Sequence, residues 1–185
     1  MRLLLIALLA TGLCTSVTAQ DKVKIKEKDG KMKVKGNTAA ASMATLPYKA
    51  IYSSNFSIGN PKYASMILDM WKDFDNNNLM NHDYFSDSAI IYLPDGNILK
   101  TKQQIGSMMS QYRGSFKSVS STLDAWVPLH SNDMNTDLVG VWGTETHVMN
   151  DGSTNKQDIH EIWAFNKDGK IEWMKQWAAK NVPMN

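Results

Sequence analysis

The chain has 185 residues, enough for one domain with additional segments, and a formal net charge of +2. From Gly36 onward it carries fifteen acidic and twelve basic residues, so the main part of the chain is mildly acidic. That balance argues against nucleic-acid binding, which needs a basic surface.

The first nineteen residues have the three-part pattern of a secretory signal peptide. Arg2 precedes an apolar run, and small residues end at Val17-Thr18-Ala19. We predict cleavage after Ala19 and export to the periplasm or the medium. The apolar run is too short to span a membrane and no second long run follows, so we expect no stable membrane insertion. Cys14, the only cysteine, would leave with the signal, which excludes disulfides and thiol chemistry in the mature protein.

Residues 20–47 are predicted to be a lysine-rich leader and linker, ahead of a domain over residues 48–185. Apolar residues alternate around Asp29-Gly30, which is a hairpin signal. An isolated two-stranded hairpin is marginal in water, so a solvated leader is the simpler interpretation. Electrostatic adhesion to an anionic envelope surface is the alternative.

The next predicted element is a helix that begins at Asn60 and Pro61, which suit the N-cap and the first helical position. The apolar residues that recur on one face of this helix are Tyr63, Ile67, Met70, Trp71 and Phe74. The polar residues 75–78 end the helix, and a short helical turn follows over residues 79–84.

Strand and helix signals then alternate along the chain. A strand over residues 89–93 is followed by turn residues 94–96 and a return strand. Thr101 and Gln104 have capping-box spacing and open a second helix. The apolar face of that helix is Ile105, Met108, Met109 and Tyr112. Four strands are predicted at residues 116–130, 137–149, 157–166 and 170–179. This order predicts an α+β fold with helices packed on one face of a long antiparallel sheet that curls into a cone.

Two motifs within this order resemble the nuclear transport factor 2-like superfamily in its SnoaL-like form. The stretch "FSDSAIIYLPDG" carries Phe85, Asp87 and Gly96, and "FNKDGKI" carries the turn Asp168-Gly169-Lys170. The resemblance runs from about residue 60 to residue 179. It implies a cone-shaped antiparallel sheet with helices on its concave side, an apolar pocket, and often a dimer.

The superfamily contains acid–base enzymes and also domains that only bind a ligand or a protein. The base aspartate of ketosteroid isomerase corresponds to Leu93 here, and its helix tyrosine falls near Met70. Neither side chain can perform that proton chemistry, so the resemblance does not carry it over. The second pocket acid of that enzyme falls near Glu161.

The last two predicted strands are rich in bulky aromatic residues. If their turn pairs Phe165 with Ile171, Trp163 faces Trp173 and Glu161 faces Lys175. One face then holds Glu161, Trp163, Phe165, Ile171, Trp173, Lys175 and Trp177. We predict that this face is a pocket wall, with the acid and the lysine paired. The alternatives are core packing of the aromatics against Trp71 and an ion pair at the rim.

Two functions are compatible with this wall. The first is binding of a small, largely apolar ligand without catalysis. The predicted ligand-binding residues are Met70, Trp71, Phe74, Tyr92, Trp163, Phe165, Trp173 and Trp177. The second is an acid–base enzyme of the isomerase, dehydratase or cyclase type. In that enzyme Glu161 carries the proton, Lys175 tunes its pKa, and His147 or Tyr92 is a second donor.

No metal site and no cofactor are predicted. The histidines have no ligand spacing, "HEIW" is not the zinc-peptidase motif, and no phosphate-binding or dinucleotide motif is present. The opposite face of the last hairpin carries Ile162 and Met174 in the same register. Because an exposed apolar patch usually marks a contact, we predict a symmetric homodimer through this face.

Overall fold

The computed structural model describes residues 24–28, 31–35 and 47–182. The chain divides into two compact units, Met1–Tyr48 and Lys49–Asn185. The predicted signal peptide and its cleavage site lie outside the described residues, as does most of the predicted linker. Within the described ranges, no helix is both long and apolar enough to cross a membrane.

The first unit contains one antiparallel pair of strands, β1 (Lys24–Lys28) and β2 (Lys31–Lys35). Ile25 pairs with Val34, and Glu27 pairs with Met32. This antiparallel pairing is the one that the hairpin signal in the sequence indicates.

The second unit is a curved seven-stranded sheet with two helices, in agreement with the predicted α+β class. In chain order its elements are β3 (Phe56–Ile58), α1 (Pro61–Asp75), a 3₁₀ helix (Leu79–Asn81), β4 (Phe85–Tyr92), β5 (Ile98–Lys100), α2 (Lys102–Gly114), β6 (Ser118–Ser131), β7 (Thr136–Val148), β8 (Thr154–Phe165) and β9 (Ile171–Lys180). The strand order across the sheet is β3-β6-β7-β8-β9-β4-β5.

One pair in this sheet departs from the predicted antiparallel pattern. Strand β4 pairs with β9 in parallel, and the other pairs are antiparallel. Parallel neighbours cannot be joined by a tight hairpin. Here the two strands are far apart in the chain, and α2 and four strands lie between them. The short strand β3 at the other edge was not predicted.

Helix α1 forms as its sequence predicts. The Asn60 side chain accepts a hydrogen bond from the Lys62 amide at 3.0 Å, and Pro61 occupies the first turn. The predicted apolar face is buried against the sheet, with Ile67 completely inaccessible. At the other end of the helix, the Arg113 guanidinium of α2 donates to the carbonyl oxygens of Phe74 and Asp75. These bonds satisfy carbonyl groups that a helix terminus leaves free, and they join the two helices.

Candidate functional site

A cavity of about 510 Å³ lies between the helices and the inner face of the sheet, the face that packs against α1. Its walls come from both α-helices, the 3₁₀ helix, the turn between β4 and β5, and strands β4, β5, β7, β8 and β9. The apolar part of the lining includes Met70, Trp71, Phe74, Leu79, Phe85, Ile91, Leu93, Leu99, Met108, Met109 and Trp163. A cavity of this size and lining is typical of sites for small organic molecules.

Glu161 is the most buried polar group in the cavity wall, with 4% of its surface exposed. Its Oε2 accepts hydrogen bonds from Trp71 Nε1 at 2.7 Å and from Trp163 Nε1 at 2.9 Å. Its Oε1 accepts one from Gln176 Nε2 at 2.8 Å. Helix α1 and strands β8 and β9 each supply one donor to the same carboxyl group, so its orientation is determined by three separate elements.

The environment of Glu161 favours the protonated, uncharged form of its carboxyl group. Burial, together with the nearby negative charge of Glu145, raises the pKa of Glu161 to about 7. The three hydrogen bonds to the carboxyl group lower the pKa but do not offset burial. Glu161 therefore changes charge within the physiological pH range.

Trp71 reaches Glu161 because the sheet carries a glycine beneath the indole ring. A Cβ atom at Gly143 would lie 2.9 Å from Cζ3 of Trp71 and 2.4 Å from the carbonyl oxygen of Thr122. Neither distance is compatible with a side chain at this position. The absence of a side chain at Gly143 thus allows α1 to approach the sheet closely enough for the tryptophan to donate its hydrogen bond.

A second acid, Glu145 of β7, also lines the cavity, with 7% of its surface exposed. Its Oε2 lies 2.9 Å from His147 Nε2 and 3.4 Å from Gln157 Nε2. His147 is completely enclosed and stacks on Phe116, with 4.4 Å between the ring centroids. The histidine thus contacts Glu145, and it is not itself part of the cavity wall.

The second helix contributes more to the cavity than to the core. Ile105 of its predicted apolar face is buried, whereas Met108 and Tyr112 are 45% and 46% exposed and line the cavity. Burial and the charge of Glu145 both raise the pKa of Tyr112. The apolar face that the sequence predicts for α2 therefore has two roles: part of it packs in the core, and part of it lines the cavity.

The predicted register of the last hairpin is correct only next to its turn. Phe165 pairs with Ile171, as predicted, but Trp163 pairs with Met174 and Glu161 pairs with Gln176. A β-bulge at Glu172 inserts one residue into β9. Because side chains alternate along a strand, one extra residue moves all later side chains of β9 to the opposite faces.

This shift corrects the predicted wall. Trp173, Lys175 and Trp177 do not line the cavity. Lys175 is exposed, and its ammonium group lies 5.1 Å from the centre of the Trp177 ring, so the predicted ion pair with Glu161 is absent. The positions that the tryptophans and the lysine would have taken are occupied by Met174, which is buried in the core, and by Gln176 and Ala178, which line the cavity.

The remaining predicted residues divide between the cavity and other surroundings. Glu161, Trp163, Met70, Trp71 and Phe74 line the cavity. Phe165 is in the core and stacks on Tyr63 at 4.2 Å between centroids, and Tyr92 is 38% exposed outside the cavity.

Several polar lining residues were not in the predicted set. Three lie on the sheet, namely Glu145, Gln157 and Gln176, and the others are Asp95 and Asn97 of the β4–β5 turn and Gln104 of α2. Because side chains alternate along a strand, Glu145 lies on the same face of β7 as His147, and Gln157 lies on the same face of β8 as Glu161. Glu145 and Gln157 could therefore have been found from strand periodicity. Gln176 could not, because its face depends on the bulge. Among the residues that the structure describes, no group of three or more His, Cys, Asp or Glu side chains could hold a metal ion.

Solved structures with the same arrangement of elements come from several bacteria. An NTF2-like protein from Exiguobacterium sp. 255-15 is 20% identical, with 62% of this chain and 98% of that chain covered and a TM-score of 0.50. An NTF2-like protein from Burkholderia pseudomallei K96243 is 11% identical, with coverage of 64% and 90% and a TM-score of 0.51.

A protein from Catenulispora acidiphila DSM 44928 with a ketosteroid isomerase-like fold, solved in complex with trimethylamine, is also similar. It is 11% identical, with 64% of this chain and 85% of that chain covered and a TM-score of 0.50. No protein-family model and no curated protein matches the sequence.

Proposed function

Because the domain has the nuclear transport factor 2-like fold and encloses an apolar cavity, we propose that it binds a small, largely apolar ligand there. The observation that carries this proposal is the cavity of about 510 Å³ whose wall combines aromatic and methionine side chains with one oriented carboxyl group. Methionine adapts its shape to a ligand, and aromatic rings supply large apolar contact areas. A few fixed polar groups in such a wall set the orientation of a ligand.

The two tryptophans of the wall support an apolar ligand in a specific way. Both indole N–H groups donate to Glu161, so their polar atoms are already used. The parts of Trp71 and Trp163 that border the cavity, 8% and 2% of their surfaces, are therefore apolar ring edges and faces. Burying such surface is favourable by about 25 cal/mol per Å².

Acid–base catalysis by Glu161 is the second candidate, favoured by its pKa of about 7, which suits a general acid or base at neutral pH. The hydrogen-bond partners of Glu161 in the described chain are Trp71, Trp163 and Gln176, none of which exchanges protons near neutrality. The predicted second donor His147 contacts Glu145 instead. Glu145 and Tyr112 also line the cavity, but neither is hydrogen-bonded to Glu161. Since the proton-carrying groups of an acid–base site usually lie within hydrogen-bond reach of one another, we favour binding.

A large side chain introduced into the cavity should block ligand binding, and Ala178 is a suitable position for such a substitution. Ala178 lines the cavity, and its neighbour Ala179 does not. We expect the neutral fluorescent probe N-phenyl-1-naphthylamine to bind the wild-type protein and Ala179→Trp equally. Ala178→Trp should bind it about tenfold more weakly, the loss expected when about 1.4 kcal/mol of contact is removed. Fluorescence titration measures the affinity.

Native mass spectrometry of the gently purified protein is the complementary measurement, because it detects a ligand retained from the cell. Absence of both a retained ligand and probe binding would refute the binding function. Equal loss of affinity in the two tryptophan variants would show that the probe binds elsewhere.

We also propose that the outer face of the sheet joins two copies of the chain. Trp142, His160 and Trp177 form a cross-strand row on this face, with ring centroids 4.7 and 5.2 Å apart. Trp142 and Trp177 are 38% and 45% exposed. Ile162 lies in the adjacent row of the same face. The prediction that Met174 lies at the dimer contact is wrong, because Met174 is in the core with 1% of its surface exposed.

A charge on this face is expected to separate the two copies. Light scattering at micromolar concentration should give a dimer mass for the wild-type protein and a monomer mass for Ile162→Glu. The carboxylate would lie opposite Lys175, and removing both charges from water at the contact costs more than their attraction returns. Met134→Glu, at an exposed position in the β6–β7 turn, is the control and should remain a dimer. A monomeric wild-type protein would contradict the proposal.

A further inference from the structure

The acidic groups of the cavity have no matching basic groups in its wall. Asp95, Glu145 and Glu161 line it, and no lysine, arginine or histidine does so among residues 47–182. Glu145 and Glu161 are 7% and 4% exposed, so water screens them poorly. His147 contacts Glu145 from behind the wall, whereas Asp95 and Glu161 have no basic side chain in contact within the described part of the chain, so the apolar walls enclose acidic groups that are not balanced by a cation.

Glu161 has no counter-ion on any element packed against it. Its hydrogen-bond donors are two indoles and one amide, all neutral. The facing titratable groups are Glu145, with the adjoining His147, and Tyr112 of α2, none of which is bonded to Glu161. Lys175 lies outside the cavity against Trp177.

Arg113 of α2 also lies next to a cavity-lining residue, Phe74, and its donors are already used. Its guanidinium group is directed at the carbonyl oxygens of Phe74, Asp75 and Phe116. A charged Glu161 in this surrounding is unfavourable because buried charges require a partner of opposite sign. A positive charge inside the cavity would supply that partner and would also interact with Glu145.

The same walls suit a cation that carries hydrocarbon groups. Trp71 and Trp163 have their N–H groups bound to Glu161, so the small part of each ring that borders the cavity is apolar, and Tyr112, at 46% exposure, presents a more accessible ring. Ring faces carry partial negative charge and attract alkylammonium groups, most strongly where water is excluded. Phe74 and Tyr112 add two further rings to the lining.

We propose that the ligand of this cavity is an organic cation, an amine or quaternary ammonium compound whose charged nitrogen lies near Glu161 and whose hydrocarbon body contacts the aromatic and methionine side chains. This inference rests on the proposed ligand-binding function and names the chemical class of the ligand. Binding converts Glu161 to its charged form, so a fraction of a proton is released to solvent when a cation binds near neutral pH.

The test compares three ligands that share one hydrocarbon body and differ in charge. Calorimetric titrations at pH 7.5 compare 1-adamantylamine, 1-adamantanol and 1-adamantanecarboxylate, which are cationic, neutral and anionic. We expect the amine to bind about tenfold or more tightly than the alcohol, and the carboxylate to bind most weakly. Repeating the amine titration at pH 6.5 in buffers of different ionisation enthalpy should reveal proton release.

Two variants identify the group responsible. Glu161→Gln should lower the affinity for the amine by about tenfold more than it lowers the affinity for the alcohol. Asp158→Asn removes one acid from the same strand, where the side chain bonds to Thr144 and Asn181 outside the cavity, and should keep the wild-type preference. Equal loss in both variants would mean that general charge attraction, not Glu161, causes the preference.

The outcomes separate the two proposals. If the alcohol binds as tightly as the amine, or the carboxylate binds best, the cation inference is overturned and the apolar binding function stands. If neither the adamantane compounds nor the neutral naphthylamine probe binds, both proposals fail.

Discussion

Replacing Gly143 with alanine is expected to destabilise the protein by about 3 kcal/mol, the upper end of the range for overpacked sites. The new Cβ would lie 2.4 Å from the carbonyl oxygen of Thr122, an atom of the neighbouring strand that cannot rotate away. It would also press on the Trp71 ring at 2.9 Å. Either the β6–β7 pairing or helix α1 must shift, and a shift of α1 weakens the hydrogen bond from Trp71 to Glu161.

Urea denaturation followed by circular dichroism measures this loss. The matched control is Gly114→Ala, at the last residue of α2, where an added Cβ has no atom within 4 Å. Alanine is preferred to glycine in a helix by up to about 1 kcal/mol, so this control should be neutral or slightly stabilising. A Gly143→Ala protein as stable as the wild type would show that the close approach of α1 to the sheet is not required for folding.

The second large effect is a pH-dependent contribution of Glu161 to stability. Its pKa is about 7 in the folded protein, against 4.5 for the unperturbed side chain. The folded state therefore holds the proton more tightly than the unfolded state does. This contribution favours folding most below about pH 4.5, decreases as the pH rises through about 7, and is constant above that.

Glu161→Gln removes this pH dependence and keeps most of the shape of the side chain. Subtracting the wild-type free energy of unfolding from that of the variant should give a value that increases by about 2–3 kcal/mol between pH 5 and pH 8. Urea denaturation at a series of pH values gives both curves, and the contributions of all other titrating groups cancel in the difference.

Glu172→Gln is the control for this experiment, because Glu172 is an exposed glutamate on the neighbouring strand. It leaves Glu161 in place and should follow the wild-type curve. A difference for Glu161→Gln that does not vary with pH would mean that Glu161 is charged in the folded protein at pH 5, and that the hydrogen bonds from Trp71, Trp163 and Gln176 outweigh burial.

The sequence by itself determined those features that depend on neighbours within one element. Asn60 and Pro61 define the start of α1, because capping needs only the adjacent turn. The spacing of its apolar residues gives its buried face, and the long strands β6 to β9 follow from β-rich stretches separated by turn residues. The pairing of Phe165 with Ile171 was also predictable, since a tight turn brings its flanking residues together.

Only the tertiary structure decided which side of β9 lines the cavity. The bulge at Glu172 reverses the faces of Trp173, Lys175 and Trp177, and nothing in local alternation distinguishes the two registers. Strand β9 pairs on one edge with β8 and on the other with the distant strand β4, where the register also shifts between Phe85 and Ile90. The partners of Glu161 therefore depend on pairings between residues far apart in the chain, and its buried carboxyl group is bonded to Trp71, Trp163 and Gln176 with no lysine as counter-ion.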